Sequence, residues 1–112
     1  MQFIKERDYY KVVRITGPSH NLLSIRLSSE ECDPVITPLP VFDGAPTEIA
    51  EDDVYRQVVD GLNSINELLG SRYFISEIQF VPSDTKSGSV YYDLIRALLC
   101  RIYECGDFVE VA

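Results

Sequence analysis

The sequence predicts an α+β domain: an antiparallel sheet of about four to five strands with two helices packed on one face. Three observations predict it. At 112 residues the chain has room for a single domain, taken as 1–112. Its first third carries β-branched, aromatic and alternating apolar residues, the mark of strands with one buried face. Two later stretches carry apolar stripes at the helical period, and strands grouped ahead of helices stack them as one layer on a sheet. The composition supports folding without staples. Hydrophobic residues make up 46% and charged residues 25%, with 7 Tyr and 5 Phe to fill a core, and a chain this size buries roughly 60–70% of its unfolded surface.

In chain order, Phe3-Ile4 begins an edge strand and Tyr9 to Thr16 forms the next. The turn formers Gly17-Pro18-Ser19-His20-Asn21 follow. In Leu22 to Ser28, Leu23, Ile25 and Leu27 alternate with Ser24 and Arg26, giving a one-sided strand. Val35 to Phe42 is apolar, but Pro38 and Pro40 lack a backbone donor, so it belongs at an edge or is interrupted. After Asp43-Gly44-Ala45-Pro46, the residues Val54, Val58, Leu62, Ile65 and Leu69 form one continuous helical stripe. Glu51, Asp52 and Asp53 favour the positive end of that helix dipole, Gly70 ends it, and Gly61 marks close packing against the sheet. Tyr73 to Val81 is a strand whose inner face is Phe74, Ile78 and Phe80. Val90, Leu94, Leu98 and Ile102 stripe the second helix, Gly106 stops it, and Phe108 to Val111 adds a short last strand.

The formal charge of −8 works against nucleic acid and anionic membranes, both of which need a positive footprint. That charge is unevenly placed. Residues 1–29 hold five basic against two acidic residues, a net of +3, whereas residues 30–67 hold ten acidic residues against Arg56 alone, a net of −9. A patch of one sign speeds encounter with an oppositely charged partner and suppresses wrong ones. Three cysteines, Cys32, Cys100 and Cys105, are an odd and sparse set for a secreted scaffold, and they are expected as thiols packing like small hydrophobes. With no apolar run of signal-peptide or membrane-spanning character, the expected compartment is the cytoplasm.

Catalytic constellations are not legible. His20, the single histidine, sits in a turn with no acid evident to orient it, as a triad would need. Zinc and calcium spacings are missing, so neither metal nor cofactor is expected. The stretch Ser83 to Ser89 joins a strand to a helix, where free N–H groups favour anions, and Lys86, Ser87, Gly88 and Ser89 are candidate anion-binding residues for a small enzyme or ligand-binding module. Its order is not that of a P-loop, and Ser83-Asp84-Thr85-Lys86 matches S-x-x-K without the partner motifs. A plainer reading makes it a capped helix start, with Ser87 or Ser89 as N-cap and Asp84 or Thr85 closing a turn.

One small acidic domain without a catalytic constellation resembles the immunity proteins that bacteria keep beside polymorphic or contact-dependent toxins. The resemblance implies a non-catalytic inhibitor that caps a basic partner protein, such as a toxin or nuclease domain. The resemblance itself transfers no site residues; under it, contacts are expected from the acidic residues Asp43, Glu48, Glu51, Asp52 and Asp53, with Tyr55 as aromatic anchor. A third possibility is a homodimer or larger oligomer formed by pairing the edge strand Val35–Phe42.

Overall fold

The computed structural model describes residues 1–86 and 88–111. Its elements are β1 (Gln2–Glu6), β2 (Tyr9–Thr16), β3 (Ser19–Ser28), β4 (Val35–Pro38), α1 (Glu51–Leu69), β5 (Phe74–Phe80), α2 (Val90–Tyr103) and β6 (Val109–Val111). The class is α+β, as the sequence predicts. The sheet, however, has six strands in the order β4-β5-β3-β2-β1-β6 and is mixed. The central pairs β1–β2, β2–β3 and β3–β5 are antiparallel, while the edge strands β4 and β6 pair parallel with β5 and β1. Helical connections cause the difference. Adjacent parallel strands need a long crossover, and α1 supplies it between β4 and β5, while α2 packs over β3 and β2 and the chain ends on the far edge.

Alternation decides which face is covered. Val12, Leu23, Ile25, Ile78 and Phe80 point at the helices and are buried, and Val54, Val58, Leu62 and Ile65 of α1 meet Leu94, Ile95, Leu98 and Leu99 of α2 above them. The inner face of β5 departs from the expected one. The β3–β5 register shifts between Arg26 and Leu27, where Arg26 opposes Glu77 and Leu27 opposes Ile75, leaving Ser76 without an opposite. This bulge flips the parity, so Ile75 is fully buried and Phe74 only half-buried. Strand β4 stops at Pro38, and residues 39–42 of the expected edge strand are irregular.

Two glycines act differently from the prediction. A Cβ at Gly61 would lie 2.3 Å from Ile95 Cγ2 and 3.0 Å from the Tyr92 carbonyl oxygen, so its close approach is to α2 and not to the sheet. Past the end of α2 the left-handed position is taken by Cys105, at φ 55°, in place of Gly106. Gly106 leaves room for the Arg101 side chain, which a Cβ there would displace. Cys105 therefore lies beyond the helix and is exposed with Cys32, and of the three thiols Cys100 alone packs, half-buried, against the core.

Candidate partner-binding face

The segment between β4 and α1 is tied down at its two ends and free between them. Leu39 N–H donates to the Phe80 carbonyl at 2.8 Å, and Glu48 and Ile49 N–H both donate to the Pro82 carbonyl at 2.9 and 3.1 Å. Ile49 is buried and anchors the second end. Between the anchors a turn closes from Ala45 N–H to the Phe42 carbonyl, with Gly44 at φ 83°. Phe42 is 74% exposed there, beside exposed Asp43.

Helix α1 then starts without help from a side chain. Its N-cap is Ala50, which makes no side-chain cap bond, and Glu51, Asp52 and Asp53 fill the first turn. Carboxylates there satisfy the dipole electrostatically while remaining in water. Asp53 pairs with Arg56 one turn on. Of the ten acidic residues in 30–67, nine are exposed and Asp53 is half-exposed. Thus Asp43, Glu48, Glu51, Asp52 and Asp53 share the loop-and-helix-start region. Tyr55 is half-buried, with its ring packed against the core.

Tyr55 also lines a groove that sequence reasoning missed. The irregular stretch Glu31-Cys32-Asp33-Pro34 faces Tyr55, Val59, Leu62, Asn63 and Asn66 of α1, with Tyr73 and Phe74 closing one side, around about 190 Å³. Asn66 fixes that side: its amide donates to the Tyr73 carbonyl at 3.0 Å, and its Oδ1 accepts Tyr73 N–H and the Ser71 hydroxyl at 2.9 Å each. Cys32 is held by its thiol donating to the Ile75 carbonyl. Nothing in the spacing of Glu31 and Asp33 announces a groove; only the crossover through α1 brings them opposite Tyr55.

The alternative site at the start of α2 is built otherwise. Gln57 of α1 reaches across, its Oε1 accepting the N–H groups of Tyr91 and Tyr92 at 2.9 and 3.3 Å and its amide donating to the Gly88 carbonyl. The donors that an anion would use at Tyr91 and Tyr92 are therefore already engaged. Lys86, Gly88 and Ser89 are exposed, and Ser89 holds the N-cap position without a side-chain cap bond. Ser87 lies outside the described residues.

Asp84 was the other residue hidden in the sequence. It is 2% exposed, accepts Leu22 N–H at 2.8 Å and stands 3.3 Å from His20 Nε2. Burial pushes its carboxyl above the ordinary value, against the opposing pull of the Leu22 bond and of His20. Thr85 and His20 also join through their backbones, and Asn21 donates to the Thr85 carbonyl and, at 3.3 Å, to the Tyr91 hydroxyl. That hydroxyl is pushed up to about 12, chiefly by burial. His20 does have an acid to orient it, and the cluster fastens the β5–α2 connection onto β3.

Among the described residues no group of three or more His, Cys, Asp and Glu is placed to hold a metal ion. No helix among them is long and apolar enough to cross a membrane. Compared with protein families, with curated proteins and with solved structures, the chain shows no match to any.

Proposed function

We propose that this chain is a non-catalytic binding protein of the inhibitor or immunity type, acting in the cytoplasm, that caps a basic protein partner through its acidic 30–67 region. One observation carries the reading: nine of the ten acidic residues there are exposed, and the region's single cation is already paired with Asp53. A surface of this kind offers a basic cleft, such as the phosphate-binding face of a nuclease toxin, a set of carboxylates in place of its usual polyanion. Exposed Phe42 beside Asp43 adds an apolar anchor of the type that supplies interface energy. The engaged donors at the start of α2 leave the anion-binding alternative without comparable support.

The test is capture from native lysate with the bound protein identified by mass and isoelectric point. A basic partner retained by the wild type, lost with rising salt and depleted at least tenfold by Glu51→Ser/Asp52→Ser/Asp53→Ser, is the expected result. Undiminished capture by the triple variant, or an acidic partner, overturns the reading.

A further inference from the structure

We infer that the groove between Glu31-Cys32-Asp33-Pro34 and α1 is a receptor for one arginine or lysine side chain of the partner, an inference that rests on the acidic-interface reading and deepens it. Size is the first argument. At about 190 Å³ the groove is below the roughly 300–1,000 Å³ of sites for metabolites and drug-sized ligands, and its scale is that of a single long side chain.

The lining supplies the second. Val59 and Leu62 offer an apolar track for an aliphatic stem, Tyr55 and Tyr73 add aromatic surface beside it, Phe74, whose ring already carries the Arg72 guanidinium at 5.8 Å, closes one side, and Glu31 and Asp33 stand at the rim. Both rim carboxylates are exposed, and neither forms an ion pair among the described residues. An anionic or purely apolar side chain would meet this rim unfavourably; a cation with a hydrocarbon stem satisfies both parts of the site.

Placement is the third. Glu51, Tyr55, Val59 and Asn63 follow one another at four-residue steps on α1, each adjacent to the next along a ridge that drifts about 40° per step. Glu51 of the acidic first turn is thus the neighbour of Tyr55, and a basic segment crossing the helix start at Glu51 brings its next cation to the groove. Asn66 and the Cys32 bond hold the two walls in place.

The experiment uses isotope-labelled full chain and N-acetyl-arginine amide as probe, with the citrulline analogue as its uncharged isostere, read by amide and side-chain NMR shifts. Saturable shifts at Cys32, Tyr55, Asn63 and Asn66 with the arginine probe, absent with citrulline and at least fivefold weaker in Glu31→Gln/Asp33→Asn, are expected. Both replaced residues are exposed, so the double variant retains the wild-type spectrum elsewhere. Shifts confined to residues 43–53, or equal with citrulline, overturn the groove inference. Separation from the broader reading comes from the partner itself. Capture lost in the 51–53 triple variant while the groove shows no shifts removes only the groove; groove shifts alongside undiminished capture by the triple variant remove the acidic-interface reading instead.

Discussion

The two helices begin in opposite ways. Each follows a strand and a loop, yet the start of α2 is closed by side chains from elsewhere in the fold and the start of α1 is left to solvent. At α2, Gln57 takes the N–H groups of Tyr91 and Tyr92, while Asp84 and Thr85 fasten the preceding loop to β3. At α1, the N-cap is Ala50, three carboxylates fill the first turn, and the loop between Leu39 and Glu48 carries exposed Phe42 and Asp43. Polar groups placed inside the fold at one helix stabilise the chain; at the other they remain in solvent. Loops placed on a rigid scaffold in this way are where binding surfaces are commonly carried.

The sharpest break in the comparison comes from Asp84. Replacing it with Ala leaves the part-buried Leu22 N–H without its acceptor, and a donor orphaned away from water costs about 1–3 kcal/mol. A loss of about 2 kcal/mol in urea unfolding, with the slope unchanged, is expected for Asp84→Ala. Glu48→Ala in the other loop is expected within about 0.5 kcal/mol of wild type, since only its backbone is engaged. Equal losses at the two positions would erase the distinction.

Gln57→Ala comes next. Losing a helix cap costs typically about 1 kcal/mol, and here the cap is supplied from another helix, so the variant loosens α1 against α2 as well. Faster hydrogen exchange at Tyr91 and Tyr92, with no change at Asp52 and Asp53, is the expected pattern. Glu51→Gln is smaller again: about 0.3 kcal/mol of dipole stabilisation, screened away by salt. If raising the salt leaves that difference intact, the charge at this position is not acting through the helix dipole.

How much of this was legible in the sequence follows from what each residue answers to. Local pattern governs Leu23, Ile25 and the stripe Val54, Val58, Leu62, Ile65, so their burial and the α+β class are legible in the sequence. Non-local pairing governs the rest. Ser76 becomes a bulge only because β3 lies opposite, which moved the buried position from Phe74 to Ile75. Gly61 inside a helical stripe marks a close contact, but its neighbour is Ile95, thirty-four positions away. Asp84 reads as one more polar residue in a turn until the start of β3 is set against it. Of the acidic face, the residues near the start of α1 were legible from charge density, while the groove between Glu31-Asp33 and Tyr55 required the β4-α1-β5 crossover.

The smallest effect separates two carboxylates by the sign of their titration. Glu77 lies on the sheet face the helices leave uncovered, where it accepts the Tyr9 hydroxyl at 2.6 Å, and that bond holds its carboxyl below the ordinary 4.5. Its contribution is complete above the unfolded value and is lost as pH falls through the lowered one. Asp84 is the reverse: burial raises it above the ordinary 3.8, so its contribution is complete below the unfolded value and is lost as pH rises through the raised one. The variants Glu77→Gln and Asp84→Asn keep an acceptor oxygen and remove the titration. Measured by urea unfolding from acid to neutral pH, Glu77→Gln should lose ground on the wild type as pH rises and Asp84→Asn should gain it. Slopes of the same sign would mean that the Asp84 carboxylate is stabilised by Leu22 and His20 more than it is penalised by burial, and the β5–α2 loop would then be held by charge and not by closure.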